Sequence, residues 1–280
     1  MAAFDDTKAY APQEETFFDD GREIRLLHAV YSRPDINKLR GSPAKVLAAI
    51  DDFGRQSYLM NVGQDKGAIV AKLIAEVKPK VMVELGGYVG YSAILFGNAV
   101  REAGGQRYYC LERNPEFAAV VSSLVDLAGL GSIVKVVVGS SSDSIRRLHA
   151  EGLEQIDFLF LDHYKPAYLP DLKLCEQLGL IRDQTVLAAD NVIKPGNPPY
   201  LEYVRSSVEE KRQGTAVQSS VHGIGERHVR QYPKSPSVDK MDCEIRGNPN
   251  LIYSSQLIES FEPTGVPDGV EITRCVGTAV

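Results

Sequence analysis

The side chains with the clearest chemical potential stand where two apolar runs end. Asp162 occurs in FLDHYK, and Asp190 is followed by Asn191 in LAADNV. Each apolar run is typical of a buried strand, and the carboxyl ends of parallel strands line the ligand crevice of an open α/β sheet. We therefore expect Asp162, Asp190 and Asn191 to converge. Two carboxylates and one amide oxygen suit a hard divalent cation such as Mg²⁺, which keeps waters for a substrate to displace.

Lys165 stands three residues after Asp162. A lysine beside a substrate hydroxyl held on such an ion can act as general base if its surroundings lower its pKa. The alternative for Lys165 is a charge that faces solvent. For a single acid at a strand end, such as Asp162 alone, the alternative is a helix cap or turn.

A glycine-rich turn forms a second candidate site. The run ELGGYVGYS begins with Glu84 at the end of a strand and leads into a helix. Small residues there let a ligand approach the backbone, and a helix N-terminus favours an anionic group. Glu112 ends the next strand, where its carboxylate can accept hydrogen bonds from ribose hydroxyls. The layout serves NAD and S-adenosylmethionine alike, although G-G-x-x-G departs from the G-x-G-x-x-G of NAD sites; the alternative is a tight turn with close helix packing.

Strands that alternate with helices must position these groups. The strand-like runs are 80–85, 107–112, 133–139, 156–162 and 184–190, and the helical stretches between and after them are 90–103, 115–128, 143–150, 168–178 and 198–210. Near-continuous apolar strands separated by helices predict an α/β fold with a mostly parallel central sheet and helices on both faces. Three more helical stretches precede this pattern, at 20–32, 42–54 and 64–77. Two strand-like runs, LIYSSQLIESF and GVEITRCVG, follow it and predict a C-terminal antiparallel hairpin.

These patterns predict an N-terminal arm followed by a single domain. Residues 1–20 carry six acids against one lysine and predict a mobile acidic arm. Residues 21–280 are expected to form a single domain. Its parts are N-terminal helices at 21–78, a core at 79–205, an insertion at 206–250 and the hairpin at 251–280. The insertion either covers the acceptor side of the site as a lid, with Gly223 and Gly225 as hinges, or is a solvated surface excursion.

Composition excludes several classes of protein. The 280 residues carry a formal net charge of −6, which argues against a dedicated nucleic-acid binder. No apolar run reaches the roughly 18 residues of a membrane span, and MAAFDDTKAY lacks a basic region followed by an apolar one, so we expect no signal peptide in it. The histidines and cysteines show no zinc-ligand spacing. We expect a cytoplasmic monomer with a small-molecule substrate and without a nucleic-acid or membrane partner.

Many stretches, in order and with similar spacing, resemble the catechol O-methyltransferase family, whose members depend on Mg²⁺ and S-adenosylmethionine. The similar stretches are VLAAIDDFG, MNVG with KG two residues later, ELGGYVGYS, ERNPEFAAV, LAGL, GSSSDSI, FLDHYKPAYLPD, CEQLGL and VLAADNVIKPG. They cover about residues 40–205, and the tail is similar more loosely. The resemblance implies a Rossmann-like methyltransferase fold and methyl transfer to one hydroxyl of a catechol-type vicinal diphenol.

The resemblance also implies roles for individual residues. Asp162, Asp190 and Asn191 would hold Mg²⁺, and Lys165 would be the general base. The residues beside the methionine part of S-adenosylmethionine would be Met60, Val62, Glu84, Gly86, Tyr88 and Ser92. Those beside its ribose and adenine would be Glu112, Ser141, Ser142, Asp162, His163 and Tyr164. Those beside the acceptor would be Tyr58, Met60, Tyr164, Lys165, Asn191, Pro195 and Glu259.

The chain departs from the family pattern at several positions. It contains no tryptophan, and Tyr58 and Tyr164 stand where the family commonly has tryptophans around the acceptor. Ser142 replaces a glutamine beside the adenine. The family uses a glutamate near the tail hairpin to bind one catechol hydroxyl; Glu259 is the nearest candidate, although the ungapped register puts Ile258 there.

Three other functions fit parts of the pattern. An O-methyltransferase for another phenolic acceptor, of caffeoyl or flavonoid type, would keep the same metal and cofactor residues. A nicotinamide-dependent dehydrogenase would use the glycine turn but has no need of the metal-ligand set. A catalytically silent S-adenosylmethionine-binding module would not need Lys165 together with all three metal ligands.

Overall fold

A computed structural model describes residues 3–214, 223–224 and 245–280. The chain divides into two compact units. Unit 1 consists of Met1–Gly139 and Glu259–Pro267, and unit 2 consists of Ser140–Ile258 and Asp268–Val280. Most of the insertion predicted at 206–250, and with it one of the two proposed hinge glycines, lies outside the described residues.

Unit 1 is built from helices followed by parallel strands. Its elements are α1 (Arg22–Tyr31), α2 (Ile36–Leu39), α3 (Pro43–Gly54), α4 (Gly63–Val77), β1 (Val81–Leu85), α5 (Tyr91–Glu102), β2 (Arg107–Glu112), α6 (Pro115–Leu127) and β3 (Val134–Val138). The strand order is β3-β2-β1, and both pairs are parallel. The predicted strands and long helices of this unit are therefore confirmed, whereas the short helix α2 is an addition that the pattern did not predict.

Unit 2 continues the alternation and contains most of the tail hairpin. Its elements are α7 (Ser141–Ala150), β4 (Phe158–Leu161), α8 (Tyr168–Gln177), β5 (Val186–Ala189), α9 (Pro198–Arg205), α10 (Val208–Arg212) and the larger parts of β6 (Leu251–Phe261) and β7 (Pro267–Thr278). β4 and β5 pair in parallel, and β7 pairs with β5 in antiparallel register. The predicted antiparallel strand pattern at the C-terminus is confirmed.

Local sequence explains where these elements begin. Asn114 caps α6 by accepting a hydrogen bond from the backbone N–H of Glu116, and Pro115 occupies the first helical position. The four residues of β4 and the four of β5 are all buried. Strands covered on both faces have no polar alternation, which is why their apolar runs identified them.

The single helix predicted over 198–210 is wrong. Ser206 and Ser207 have extended backbone, so that α9 ends at Arg205 and a new helix begins after Ser207. Ser207 and Glu210 form a reciprocal capping box in which each side chain accepts from the other residue's backbone N–H. Such a box favours the start of a new helix, because it satisfies two backbone donors at once.

The acidic N-terminal segment (residues 3–20) makes defined contacts in unit 1. The backbone N–H of Tyr10 donates to the Pro263 carbonyl at 2.8 Å, and that of Ala11 donates to the Gly54 carbonyl at 3.0 Å. Mobility is a dynamic property, so the mobility expected of this arm stays a prediction. Within the described ranges, no helix combines the length and the apolar character that crossing a bilayer requires.

Candidate active site

Lys165 brings together two of the three predicted metal ligands. Its Nζ donates to Asp162 Oδ1 at 3.1 Å and to Asn191 Oδ1 at 2.8 Å. Asp162 follows the last residue of β4, and Asp190 and Asn191 follow β5, the neighbouring parallel strand of unit 2. Asp190 is only 1% exposed. Of the three residues expected to converge, Asp162 and Asn191 are therefore joined through Lys165, and Asp190 directly precedes Asn191 at the end of β5.

Two further side chains fix Lys165 in this position. Tyr168 accepts a hydrogen bond from Lys165 Nζ at 2.7 Å and donates its own to the Asp190 carbonyl at 3.1 Å. Burial raises the pKa of Tyr168, and the negative charges of Asp162 and Asp190 raise it further, so the phenol keeps its proton. Asn197 Nδ2 donates to the Lys165 carbonyl at 2.8 Å.

Asp268, a residue that sequence reasoning missed, orients Asn191. Its buried carboxylate accepts from Asn191 Nδ2 at 3.2 Å and from the backbone N–H groups of Ile193 and Lys194 at 3.2 and 2.9 Å. Because the amide nitrogen is bound to Asp268, Asn191 presents Oδ1 to Lys165. The only sequence feature at Asp268 is the run Pro-Asp-Gly at the start of the last strand, and such a run predicts a turn but not a buried carboxylate.

The donor set fits Mg²⁺. All its members are oxygens, and Lys165 Nζ contacts two of them. Among the residues that the structure describes, no three His, Cys, Asp or Glu side chains are grouped to hold a metal. The site is thus a mixed carboxylate and amide set, to which water and substrate would add further oxygen ligands.

Asp171 joins two of the residues predicted beside the adenine. Its buried carboxylate accepts from Ser141 Oγ at 2.5 Å and lies 2.9 Å from His163 Nε2. The His163 ring stacks on Tyr168, with ring centroids 4.9 Å apart. The other two predicted residues here, Ser142 and Tyr164, are half-buried. Asp171 was missed because an acid within an amphipathic helix gives no sign of its partners.

In unit 1, Glu112 holds the glycine-rich turn. Glu112 Oε2 accepts from the backbone N–H groups of Gly87 and Tyr88 at 3.0 and 2.9 Å, and Oε1 accepts from that of Asn114 at 2.7 Å. Burial raises the pKa of Glu112, and these backbone donors oppose the rise. A backbone hydrogen bond from Arg113 opposes the rise as well, so backbone donors on both sides hold the carboxylate at the end of β2.

The glycines of the turn are required by its shape. Gly86 and Gly90 have φ of 93° and 86°, in the region that favours glycine. A Cβ on Gly87 would lie 2.5 Å from Cys110 Sγ. The backbone can follow this path beside β2 only with these residues, which explains the G-G-x-x-G spacing.

Glu84 and Ser92 flank the turn and are buried. Glu84 is fully buried, and its negative charge adds to burial in raising the pKa of the Cys110 thiol. Ser92 is the second residue of α5 and is 7% exposed. Between them, burial raises the pKa of Tyr88, whose ring meets that of Phe117 edge-on. Buried polar groups at one turn are typical of a site for a polar ligand.

The remaining predicted residues differ in exposure. Tyr58 and Val62 are buried, and Met60 and Pro195 are half-buried. Glu259 is exposed on β6, whereas its neighbour Ile258, in unit 2, is half-buried. Neither residue has a contact in the structure that identifies an acceptor ligand.

Comparison with known proteins identifies the family. The catechol O-methyltransferase of Bos taurus is 40% identical over 198 residues, which cover 70% of this chain and 71% of that protein. Catechol O-methyltransferase B of Danio rerio is 44% identical over 188 residues, covering 66% of this chain and 69% of that protein. The chain belongs to the catechol O-methyltransferase family. The resemblance inferred from the sequence is therefore confirmed, and so is the predicted enzyme class, an S-adenosylmethionine-dependent O-methyltransferase of this family.

A family model and a solved structure agree with this membership. Residues 83–192 match the model described as a methyltransferase domain. A crystal structure of an O-methyltransferase from Bacillus cereus in complex with SAH aligns with a TM-score of 0.54 at 19% sequence identity, covering 91% of this chain and 97% of that chain. At that identity the likeness concerns the fold alone, and it confirms the predicted Rossmann-like methyltransferase fold.

Proposed function

We propose that this member of the catechol O-methyltransferase family transfers the sulfonium methyl of S-adenosylmethionine to one hydroxyl of a catechol-type vicinal diphenol held on Mg²⁺. The observation that carries the proposal is the contact of Lys165 Nζ with Asp162 Oδ1 and Asn191 Oδ1. It puts a potential proton acceptor directly beside a set of oxygens suited to Mg²⁺. A dehydrogenase or a silent cofactor-binding module has no use for that combination.

The unit 1 residues are assigned to the methyl donor. Glu112, which ends β2 and is held against the glycine-rich turn, is assigned to the ribose hydroxyls. Val62 and Ser92 lie at the starts of α4 and α5, where unpaired backbone N–H groups favour the methionine carboxylate. Glu84 receives the ammonium of the same amino-acid part. Met60 forms an apolar wall near the sulfonium.

The unit 2 residues are assigned to the adenine, the metal and the proton. Ser141, Ser142, His163 and Tyr164 surround the adenine, and Asp162, Asp190 and Asn191 hold Mg²⁺. Mg²⁺ held there would supply Lewis-acid chemistry that lowers the pKa of the reacting hydroxyl.

The chemical step needs a proton acceptor and a fixed geometry. The uncharged form of Lys165 removes the proton of the reacting hydroxyl, the oxygen bonds to the methyl carbon, and the carbon–sulfur bond breaks with its electron pair on sulfur. The proton ends on Lys165 Nζ, and the sulfur leaves as a neutral thioether. Tyr168 and Asn197 hold Lys165 during this step. Most of the rate acceleration would come from proximity and electrostatics, because the methyl group needs no further activation.

The acceptor is assigned from the diol chemistry of the metal site. A vicinal diol can place both oxygens on one ion, whereas a monophenol can place only one. Tyr58, Tyr164 and Pro195 would line the ring of the acceptor, and Glu259 would accept from its second hydroxyl. The cytoplasmic location and monomeric state expected from the sequence stay predictions.

An acceptor panel tests the proposal. Catechol, a caffeoyl ester, a caffeoyl thioester and a monophenol are each supplied with S-adenosylmethionine and Mg²⁺, and methylated products are identified by mass spectrometry. We expect methyl transfer to catechol and at least a hundredfold lower kcat/KM for the monophenol, the scale of a lost pair of strong polar contacts. Equal rates for catechol and the monophenol would contradict chelation. A strong preference for the caffeoyl thioester would contradict the catechol-type acceptor.

A further inference from the structure

Asp51 lies near the end of α3. Its buried carboxylate accepts hydrogen bonds from three separate parts of unit 1. Tyr10 OH donates to Asp51 Oδ1 at 2.6 Å. Gln64 Nε2 donates to Asp51 Oδ2 at 2.8 Å, and Tyr91 OH lies 3.4 Å from the same oxygen. Asp51 is 4% exposed and Tyr10 is 6% exposed. We call Tyr10 and Asp51 the Tyr10–Asp51 hub.

The hub connects to the two helix starts assigned to the methionine part of the methyl donor. Gln64 is the second residue of α4, directly after Val62 and Gly63, and Tyr91 is the first residue of α5, directly before Ser92. Asn61 Nδ2 additionally donates to Tyr10 OH at 3.3 Å. Moving Tyr10 therefore changes the hydrogen bonding at both helix starts, although Tyr10 is far from Gln64 and still farther from Tyr91 in sequence.

The same N-terminal segment also holds the loop that leads to α4. Arg22, 2% exposed, donates from Nη1 to the Tyr58 carbonyl at 2.7 Å and from Nη2 to Glu14 Oε2 at 2.5 Å. The ring of Phe17 meets that of Tyr58, with centroids 5.9 Å apart. A buried guanidinium thus links the acidic segment to the backbone of the residue assigned to the acceptor ring.

Gly54 leaves space for the ring of Tyr10. A Cβ added to Gly54 would lie 2.5–2.8 Å from three atoms of the Tyr10 ring. Gly54 ends α3, and its carbonyl accepts from the Ala11 N–H at 3.0 Å. The chain thus accepts glycine, a poor helix former, at a helical position where the Tyr10 ring needs the space.

We propose that Tyr10 and Asp51 are positioning residues for the methyl donor: through the hub, the N-terminal segment fixes the starts of α4 and α5 that receive the methionine carboxylate. This inference rests on the proposed function, because it takes the donor to bind at Val62 and Ser92. Neither hub residue touches the donor in this account. Their effect is to reduce the conformational freedom that binding would otherwise have to remove.

The first experiment compares Tyr10→Phe with Tyr31→Phe. Both changes delete one phenol hydroxyl, but Tyr31 OH donates to the Ser123 carbonyl on the surface, away from the hub. For Tyr10→Phe we expect the Kd for S-adenosylhomocysteine and the KM for S-adenosylmethionine to rise about three- to tenfold, the scale of one hydrogen bond. kcat at saturation should stay within about twofold, and Tyr31→Phe should match the parent protein. A loss of thermal stability with unchanged Kd would overturn the proposal, because a merely structural role predicts that result.

The second experiment displaces the ring without deleting the hydroxyl. Gly54→Ala should raise the Kd for S-adenosylhomocysteine in the same range, whereas Gly131→Ala should leave it unchanged because a Cβ there meets only one side-chain atom, at 3.8 Å. An unchanged Kd in Gly54→Ala would contradict the hub. In the unaltered protein, linkage requires S-adenosylhomocysteine to slow amide exchange at Tyr10 and Ala11 if the hub acts as proposed. Equal exchange with and without it would overturn the proposal even if both variants failed to fold.

Ser92→Ala separates this inference from the proposed function. If Ser92→Ala weakens binding of S-adenosylhomocysteine and Tyr10→Phe does not, the hub proposal alone fails. If neither variant changes the Kd, the assignment of the donor site fails with it.

Discussion

At the scale of single residues, Lys165 is both a hydrogen-bond donor to two assigned metal ligands and the assigned base, and these two roles need different states of its side chain. Its Nζ donates hydrogen bonds to Asp162 Oδ1 and Asn191 Oδ1. As a base, it must instead be uncharged and face the reacting hydroxyl. Asp162 and Asn191 would hold Mg²⁺, and Lys165 Nζ would accept the proton of the reacting hydroxyl beside them.

Replacement of Lys165 tests the base assignment. We predict that Lys165→Ala lowers kcat about 10²- to 10⁴-fold, the usual contribution of a positioned proton acceptor. The Kd for S-adenosylhomocysteine, measured by calorimetry, should change less than about twofold, since proton removal and donor binding use different groups. Lys72→Ala, an exposed change on α4, is the matched control. Equal kcat in Lys165→Ala and the parent would remove Lys165 from the chemistry.

Glu112 should show the opposite pattern of effects. Glu112→Gln keeps the shape of the side chain but loses its charge and one of its two acceptor oxygens. We predict binding of S-adenosylmethionine weaker by about 1.5–3 kcal/mol, the scale of hydrogen bonds to a charged group. Glu116→Gln changes an exposed carboxylate of the same region and should have no effect. An unchanged Kd in Glu112→Gln would mean that the ribose is held elsewhere.

At the scale of elements, β7 supports the metal site from a distant part of the chain. Asp268 fixes both the side chain of Asn191 and the backbone of the following turn. In Asp268→Asn, an amide nitrogen would replace one of these acceptor oxygens. We predict that the affinity for Mg²⁺, measured by calorimetry, falls about 10- to 100-fold, as when an outer partner of a metal ligand is lost. Binding of S-adenosylhomocysteine should not change.

Asp183→Asn provides the comparison for that variant, because Asp183 is exposed and precedes β5. Metal affinity equal in Asp268→Asn and Asp183→Asn would contradict a supporting role for β7. The experiment reads metal binding directly and so does not depend on which acceptor the enzyme uses.

A buried glutamate ties α8 to α9 and β6. Glu176 accepts from Tyr203 OH and Tyr253 OH, both at 2.6 Å, and from the Asn248 backbone N–H at 2.9 Å. Burial raises the pKa of Glu176 above 4.5, and the three donors oppose the rise. The folded state therefore binds the proton of the Glu176 carboxyl more tightly than the unfolded state does. Protonation of Glu176 thus stabilises the fold at low pH, and this contribution to the free energy of unfolding is lost as pH rises from about 4.5 through the folded pKa.

Glu176→Gln should remove that pH dependence. We predict that the free energy of unfolding of the parent, minus that of Glu176→Gln, falls as pH rises above about 4.5, by at most about 1.4 kcal/mol per pH unit. Chemical denaturation at several pH values measures it. Glu202→Gln, an exposed change on α9, should show no such trend. A difference that stays constant or grows with pH would contradict the raised pKa.

At the scale of the whole molecule, the sequence predicted what local pattern encodes. The five parallel strands followed from continuous apolar runs, and Asp162 and Asn191 followed from the rule that such strands end at one edge. The sequence did not predict the structural roles of Asp268, Asp171 and Asp51. Each of these is a buried acid whose partners stand far away in sequence, and no periodicity distinguishes it from a solvated acid. The helix predicted over 198–210 lacks the break between α9 and α10, because the capping box of Ser207 and Glu210 lies inside a stretch of helical pattern.

The central claim is that the chain methylates a vicinal diphenol by means of a divalent cation held at Asp162, Asp190 and Asn191. The most direct test measures methyl transfer from S-adenosylmethionine to catechol by the full chain, first with excess Mg²⁺, then with excess chelator, then with Mg²⁺ restored. We predict methylated catechol with Mg²⁺, a loss of rate of at least about a hundredfold in chelator, and full recovery on restoration. Undiminished methylation in chelator, or no methylated catechol with Mg²⁺, would contradict the claim.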